Sequence, residues 1–265
     1  MLNPAMEEKE ALTGKAPSEE KPPLQCSWSY FDGSITLDDW MGGDLAITNA
    51  ARVSFGGESQ ELTGRDKKLI KYLADHKHMS PFRHCVLKLV FKDIPEVIAR
   101  QLYKHCVGIA LTSGETRFID TPWNEISGRY VELPTEFFTP PVFRQQSKDN
   151  KQASDPNVLV QNQGAALGWY TQALDQAAAS YQALLDLGVC KEQARMVLPM
   201  CFKTSFIWTG SLEAAVHLVK LRKHNGAQQE MIPVAEIVEK ACRIVAPVAT
   251  AALLGEETLC TPAQV

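Results

Sequence analysis

The sequence lacks the features that mark several large classes of protein. It has no apolar run of 18 residues or more, so no ordinary membrane-spanning helix is expected. Its seven cysteines are scattered and include no Cys-x-x-Cys pair, which is typical of reduced thiols and not of a disulfide framework or a zinc site. The 27 basic and 31 acidic residues leave a formal net charge of −4. Composition therefore predicts no membrane, nucleic-acid or metal partner.

The N-terminus also lacks the apolar core of a signal peptide. Residues 1–25 are rich in Glu, Lys and Pro, and we expect a disordered tail there. Hydrophobic residues make up 45% of the chain, enough for a sizeable core. Strand patterns come early and helical patterns late, which predicts a single α+β domain over residues 26–265 with an antiparallel or mixed sheet and a helical C-terminal half. The reduced thiols favour a cytoplasmic location.

Hydrophobic periodicity predicts most of the elements. The clearest are a buried element over Leu45–Phe55, a helix over Arg65–His76, a strand with Leu87, Leu89 and Phe91 inward, a helix over Ala165–Leu187, a helix from Lys191 toward Pro199, and a helix capped by Ser211. Asp93 is a plausible N-cap for a helix with Pro95 in its first turn, and Asn225 with Gln228 resembles a capping box. The polar stretch Arg144–Asn157 is predicted to be a loop.

Positive charge is concentrated in one region of the chain. Ten basic and four acidic residues lie between Arg65 and Lys104, which suggests an anionic ligand. At helical spacing, Arg100, Gln101, Lys104 and His105 share one arc. The opposite face, predicted to pack on the core, consists of Ala99, Leu102, Tyr103 and Cys106. An ordinary amphipathic surface helix would show the same pattern, so this face alone does not decide for a site.

The densest polar cluster is NEISGRY, Asn124–Tyr130. Arg129 can place a forked guanidinium on a phosphate or a carbonyl edge. Ser127 can donate to a phosphate oxygen, and Gly128 allows backbone N–H groups to approach a ligand closely. The composition predicts a compact polar cradle.

Several segments, in chain order, resemble the flavin-dependent thymidylate synthase (ThyX) family. That family has the signature RHRxxSxNExSxRY, whose second half is intact here in NEISGRY. The other similar segments are NAARVSF, HKHMSPFRHCV, ARQLYKH, EQARMVLP and WTGSLEAAVHLVKLRKHNGAQQE. Together they span most of the chain, and their shared order makes a chance match improbable.

The resemblance implies a fold, a reaction and an assembly. The fold would be ThyX-like, and the enzyme a methyltransferase that converts dUMP to dTMP. Its carbon donor would be 5,10-methylenetetrahydrofolate, its cofactor FAD reduced by NADPH, and no protein nucleophile would attack the ring. The resemblance also implies a homotetramer with active sites at subunit interfaces, and small-molecule partners only.

The resemblance carries site residues over position by position. Arg222 matches the catalytic arginine that stabilises the ionised N3 edge of the pyrimidine, a task that suits an always-charged guanidinium. The dUMP-binding positions are Gln101, Lys104, Glu125, Ile126, Ser127, Gly128, Arg129, Arg195 and Arg222. The FAD-contacting positions are His78, Ser80, Lys104, His105, Glu125, Ser211 and His217. Arg195, with its apolar neighbours, could instead form a buried ion pair, and His84 is expected to be a core histidine.

Three departures from the family pattern concern the flavin side more than dUMP recognition. The RHR triplet is Lys104-His105-Cys106 here, so one fork and one charge are lost. The family's PFEH is PFRH, which places Arg83 where a carboxylate is expected. Residues 107–123 are seventeen, against four in the family, and we expect this insertion to loop out near the flavin and folate.

Three other functions are compatible with parts of the sequence. A classical thymidylate synthase needs a cysteine nucleophile, and LPMC places Cys201 in a superficially similar motif, but no histidine follows it. A metal hydrolase could use His76, His78 and His84, yet no acidic or cysteine ligand nearby completes the set. A non-catalytic homologue that binds nucleotide without turnover is compatible with the altered triplet, and the sequence alone leaves it open.

Overall fold

The structure, a computed structural model, describes residues 26–105, 110–113, 116–119 and 122–256, with the backbone alone for 110–113 and 116–119. The predicted N-terminal tail lies outside these residues. The strands are β1 (Cys26–Tyr30), β2 (Gly33–Met41), β3 (Val86–Pro95), β4 (Ala110–Ser113), β5 (Thr116–Ile119), β6 (Trp123–Glu125), β7 (Arg144–Gln146), β8 (Ser154–Leu159) and β9 (Lys203–Ser211). The helices are α1 (Asp44–Arg52), α2 (Gly64–Asp75), α3 (Glu96–Leu102), α4 (Gln163–Asp186), α5 (Lys191–Ala194), α6 (Leu212–Arg222), α7 (Ile232–Val245) and α8 (Pro247–Leu254). None of these helices is long and apolar enough to cross a bilayer.

The core of the fold is a five-stranded antiparallel sheet in the order β1-β2-β3-β9-β6. In the central strand β3, Leu87, Leu89 and Phe91 are fully buried, as the alternation predicts. Phe91 stacks on Phe206 of β9 at a ring-centroid distance of 4.5 Å. The α+β class and the inward face of this strand are therefore confirmed.

The sheet is covered by α6 and α7. The Ser211 side chain accepts a hydrogen bond from the backbone N–H of Ala214 at 3.2 Å, so Ser211 caps α6 as predicted. The predicted capping box at Asn225 and Gln228 is wrong, because α7 begins only at Ile232, after a short 3-10 turn. Pro233 lies in the first turn of α7, where its missing N–H costs no helical hydrogen bond.

The helix predicted after Asp93 begins later and is shorter than expected. Asp93 is still within β3 and has a positive φ of 56°, so it is not an N-cap. The helix α3 begins after Pro95 and ends at Leu102. Tyr103 therefore lies past the helix and is 57% exposed, contrary to the prediction that it faces the core. The short helix still places Arg100 and Gln101 on neighbouring positions beside the sheet.

Two further predictions are wrong for tertiary reasons. The polar stretch that begins at Arg144 is not a loop, since β7 and β8 pair antiparallel. Its polarity is satisfied by partners elsewhere: Arg144 binds Ser154 and the distant Glu230. The element predicted to be buried over Leu45–Phe55 is α1 followed by a 3-10 turn, but its end is solvent-exposed, with Phe55 90% accessible.

The long helix α4 stands apart from the main core. It ends as predicted near Gly188, whose positive φ of 81° is readily adopted by glycine. Its only buried residues are Leu174 and Tyr181. Tyr181 belongs to a small second cluster with Leu133 and Ala194, and its hydroxyl accepts the backbone N–H of Leu133 at 3.0 Å.

The chain after α4 and the inserted segment differ in part from expectation. The helix predicted from Lys191 toward Pro199 is confirmed only over α5, since Arg195–Val197 forms a 3-10 turn. The insertion predicted over 107–123 ends earlier, because Trp123 already pairs with β9 in the sheet. Within it, the backbones of β4 and β5 pair as a hairpin.

Candidate active site

A cleft opens between the start of α3, the turn after β6 and the segment after α5. It has a volume of about 520 Å³. Its lining residues are Glu96, Arg100, Glu125, Ile126, Ser127, Gly128, Leu133, Arg195, Met196, Leu198, Met200 and Phe202. A neighbouring pocket of about 440 Å³ shares Glu96, Arg100 and Glu125 with it and adds Ala99, Tyr103, Lys104 and Trp123. The shared residues make the two pockets parts of one recess.

The signature segment forms a tight turn at the edge of the sheet. The carbonyl of Ser127 accepts hydrogen bonds from the N–H groups of Tyr130 and Val131, at 3.0 and 3.2 Å. The hydroxyl of Ser127 accepts the N–H of Arg129 at 3.3 Å. Because the turn begins where β6 ends, the fixed edge strand aims this polar segment into the cleft.

Gly128 brings Arg195 to the signature. A Cβ added at Gly128 would lie 2.7 Å from the Leu133 side chain and 3.0 Å from Cδ of Arg195, so glycine is needed for this close approach. Arg195 is half-buried and takes part in none of the ion pairs found among the described residues, so the buried ion pair considered for it is not observed. Arg129 instead points along the surface to Glu192, with an N–O distance of 3.4 Å.

Two neighbouring carboxyl groups, those of Glu96 and Glu125, line the recess. Burial, and then the neighbouring Glu125, raise the pKa of Glu96, against the opposing effect of Arg100. Arg100 Nε donates to Glu96 at 3.0 Å. Glu125 accepts from the Thr204 hydroxyl at 2.5 Å and from the Trp123 indole at 3.2 Å. The recess thus combines anchored acceptors with the guanidinium of Arg195.

A second polar group forms where α3 ends against α6. His105 is 4% exposed, and its Nε2 accepts a hydrogen bond from Nε of Arg222 at 3.2 Å. Burial, assisted by Arg222 and His217, lowers the pKa of His105 to about 4. The ring is therefore neutral near pH 7, and since Nε2 accepts, its proton resides on Nδ1. This pairing fixes the orientation of the Arg222 guanidinium.

Gln101 connects this region to residues that the sequence did not single out for the site. Its Nε2 donates to Oε1 of Gln228 at 2.7 Å. Gln228 donates in turn to Glu230, which also binds Arg144. The only local signal for Gln228 is its place in the predicted capping box. Its contact with Gln101 could not be predicted, because the two residues are 127 positions apart in the chain.

Two of the predicted flavin positions, His78 and Ser80, lie outside the lining of the recess, whereas Lys104 and Glu125 are part of it. His78 and Ser80 are both exposed in the turn after α2, and Lys104 is also exposed. Tyr72 stacks on His76 at 4.0 Å between ring centroids, with His78 beside them. Exposed imidazole and hydroxyl donors beside flat rings fit a planar heteroaromatic group with a polar edge. Buried Ser211 is already engaged as the cap of α6.

The charge reversal at Arg83 is paired within the subunit. Arg83 Nε donates to Glu213, in the first turn of α6, at 2.5 Å, and this hydrogen bond raises the pKa of Arg83. The turn that contains Arg83 is thereby fastened to the helix that carries His217 and Arg222. The replacement thus leaves no unpaired charge at this position.

Apart from Arg129, which pairs with Glu192, and Ser211, which caps α6, the predicted residues fall into three groups. Glu125, Ile126, Ser127, Gly128, Arg195 and, in the adjoining pocket, Lys104 line the recess. His105, His217 and Arg222 cluster beside α6, while Gln101 bonds to Gln228, and all four lie outside the lining of both pockets. His78 and Ser80 belong to the exposed turn. Cys106 lies outside the described residues.

The rival chemistries find little support in the geometry. Cys201 lines a separate cavity of about 230 Å³, together with Tyr170 and Phe138, and does not face the recess. Among the residues that the structure describes, no group of three or more His, Cys, Asp or Glu side chains could hold a metal ion. His84 is exposed, so the expectation of a core histidine is wrong.

The structure is that of an α+β protein with a polar recess that contains an arginine. Residues 36–248 match the family described as thymidylate synthase complementing protein. The chain belongs to this family, that of the flavin-dependent thymidylate synthases.

Individual relatives agree with this assignment. A flavin-dependent thymidylate synthase of Thermus thermophilus is 39% identical over 220 residues, which are 83% of this chain and 75% of the relative. That of Thermosipho melanesiensis is 34% identical over 214 residues, 79% of this chain and 87% of the relative. The crystal structure of the UMP/dUMP methylase PolB from Streptomyces cacaoi, bound with 5-Br dUMP, is 30% identical with a TM-score of 0.71, covering 85% of this chain and 96% of that one. The predicted family and fold are confirmed.

Proposed function

We propose that this protein converts dUMP to dTMP by reductive methylation, with 5,10-methylenetetrahydrofolate as carbon donor and FAD reduced by NADPH. The observation that carries the proposal is the recess in which the Glu125–Gly128 turn meets Arg195. The two segments are distant in the chain and match separate motifs of the family, yet both line the same cavity. A site for a small phosphorylated ligand needs this combination of a guanidinium, a hydroxyl and an accessible backbone.

The chain's own residues would bind and orient dUMP and stabilise charge on it. Arg195 and the Ser127 turn suit the phosphate, since they supply donors at the cleft wall. Arg222 suits the pyrimidine edge that becomes negatively charged, because it stays protonated and its Nε is already held by neutral His105. No nucleophilic side chain is assigned to the ring, which agrees with the position of Cys201 in a separate cavity.

The flavin would be held by His78, Ser80, Lys104, His105, Glu125, Ser211 and His217. When bound, FAD supplies the hydride that reduces the transferred methylene group. The exposed donors of the turn after α2 and the Tyr72–His76 rings support its placement there. Ser211 would contribute mainly by holding the start of α6, because its hydroxyl is engaged as a cap.

We further propose a homotetramer with active sites at subunit interfaces, working in the cytoplasm. Apolar residues of α4 remain exposed in the single chain, including Leu167 at 45% and Trp169 at 74%. The segment that carries Arg195 follows this helix directly. An exposed apolar surface of this kind is suited to a neighbouring subunit.

The test is to purify the full chain, record its absorbance spectrum for bound flavin, and assay dTMP formation from dUMP, methylenetetrahydrofolate and NADPH. Omitting each component in turn identifies which are required. Gly128→Ala should impair dUMP binding by pushing on Leu133 and Arg195, whereas Gly57→Ala, at an exposed glycine with open space around it, is the matched control. A flavin-free protein that binds dUMP without turnover would support the non-catalytic homologue instead.

UMP is a second candidate substrate. The observation in its favour is the TM-score of 0.71 with the UMP/dUMP methylase, over 85% of this chain. The same assay with UMP decides between the two substrates. Turnover of dUMP alone would restrict the activity to the deoxynucleotide, and turnover of both would define a broader methylase.

A further inference from the structure

A buried carboxylate stands at one end of the hydrogen-bonded chain behind Gln101. The Glu230 side chain is 8% exposed and accepts a hydrogen bond from Nη2 of Arg144. Its other oxygen lies 3.1 Å from the side-chain amide of Gln228. An ionised carboxylate has acceptors only, so the end of Gln228 that faces it must be the NH₂ group. The chemistry of the carboxylate therefore determines which end of the Gln228 amide faces it.

The orientation of the Gln228 amide determines that of the Gln101 amide. Because the NH₂ group of Gln228 faces Glu230, its Oε1 faces Gln101, at 2.7 Å from Nε2. The same Nε2 lies 3.4 Å from the backbone oxygen of Val97, a second acceptor. Both contacts require Gln101 to turn its NH₂ group toward the protein. Its Oε1 is therefore the end left for a ligand, and no donor among the described residues bonds to it.

We propose that Glu230, acting through Gln228, orients Gln101 so that it offers a hydrogen-bond acceptor to the nucleotide. Gln101 would then meet a donor group of the ligand and not its phosphate, which has acceptors only at neutral pH. The donors of dUMP are the N3–H group of the base and the 3′-hydroxyl of the sugar. Glu230 and Gln228 are positioning residues, and Gln101 determines specificity. The inference rests on the proposed dUMP site.

The directions of the hydrogen bonds from Glu230 through Gln228 to Gln101 predict the effect of replacing one carboxylate oxygen by an NH₂ group. In Glu230→Gln, the oxygen of the new amide stays with Arg144 and its NH₂ group faces Gln228. Gln228 then turns over to present its oxygen, and Gln101 turns over in consequence. Gln101 would now offer NH₂ to the ligand donor, so one hydrogen bond is replaced by a donor–donor contact. The exchange variant Gln228→Glu with Glu230→Gln restores an acceptor toward Gln101 and returns its amide to the original orientation.

The experiment measures dissociation constants by calorimetry for dUMP, N3-methyl-dUMP and 3′-deoxy-dUMP. With the wild-type protein, the analogue that lacks the relevant donor should bind about tenfold more weakly than dUMP, and the identity of that analogue reveals the donor. In Glu230→Gln, dUMP itself should weaken by about tenfold and the difference between dUMP and that analogue should disappear. The exchange variant should recover both the affinity and the difference.

The control is Tyr30→Phe, which removes the hydroxyl that donates to the backbone oxygen of Glu230 at 3.0 Å without altering any amide. It should lower stability and leave the preference among the analogues unchanged. If Glu230→Gln does not fold, Gln228→Met breaks the link while retaining the Arg144–Glu230 pair, and should also reduce the preference. Wild-type protein that fails to bind dUMP would refute the proposed function. Wild-type protein that binds dUMP, with an unchanged preference in the folded variants, would refute this inference alone.

Discussion

Helices α7 and α4 use their apolar residues in opposite ways. Of the 14 residues of α7, eight are buried against the sheet and neighbouring helices. Of the 24 residues of α4, two are buried. The apolar face of α7 is buried within one chain, whereas α4 leaves Leu167 and Trp169 exposed to solvent. Buried apolar contacts are therefore concentrated in the sheet half, whereas the exposed face of α4 is accessible to the neighbouring subunit proposed above.

The largest expected effect on stability is a cavity in the sheet half. Leu218 on α6 is fully buried, and Leu218→Ala should lower the free energy of unfolding by about 3 kcal/mol, because it removes apolar contacts and leaves a void. Urea unfolding monitored by circular dichroism measures the loss. Leu221→Ala is the matched control on the same helix, since Leu221 is 44% exposed, and should cost less than about 1 kcal/mol. Equal losses would contradict the described packing.

The next prediction concerns the surface of α4. Trp169→Glu should weaken association between subunits by about 2 kcal/mol or more, because a buried aromatic anchor would become a desolvated charge. The mass measured by sedimentation should shift toward smaller species, and dTMP formation should fall with it. Trp169→Phe keeps an apolar ring and should retain the assembly. An unchanged mass for Trp169→Glu would show that this face is not an interface.

The two regions also differ in how far sequence predicts them. The alternation around Leu89 and the cap at Ser211 were predictable because both depend on neighbours a few positions away. The exposed end of the element at Phe55 and the hairpin that begins at Arg144 were not, because packing and long-range hydrogen bonds decide them. The positive φ of Asp93 likewise arises where β3 breaks its register with β9.

The candidate site follows the same rule. The seven-residue cradle from Asn124 to Tyr130 was predictable because it is one local turn. The orientation of Gln101 was not, since it depends on Gln228 at a separation of 127 positions and on Glu230 beyond it. Local motifs predict which side chains can contact a ligand, whereas the tertiary structure determines which atom of each side chain faces the ligand.

A smaller effect is expected from His105, at the junction of α3 and α6. Its pKa is about 4 in the folded chain, below its ordinary value of 6.5. Between these values the unfolded chain binds a proton that the folded chain does not. The contribution of neutral His105 to the free energy of unfolding is therefore fully present above pH 6.5 and is lost as the pH falls toward 4. The loss at pH 5 should be about 2 kcal/mol.

Denaturation of the wild type and of His105→Gln at pH 7 and pH 5 measures this effect. The wild type should lose more stability than the variant over that interval. His84→Gln, which changes an exposed histidine, is the control and should follow the wild type. A His105→Gln protein with the same pH dependence as the wild type would show that His105 is protonated in the folded state well above pH 4.

The smallest effect is expected at the ion pair of Arg83 and Glu213, which joins the exposed turn of His78 to the sheet half. Because Arg83 is 47% exposed, solvent weakens the pair, and either charge reversal alone should cost about 1 kcal/mol or less. The double exchange Arg83→Glu with Glu213→Arg should recover both stability and flavin affinity, since the pair is re-formed in the opposite sense. If Arg83→Glu alone instead raised flavin affinity, the carboxylate of the family pattern would act on the flavin directly. The Arg83–Glu213 pair would then not be what maintains flavin affinity.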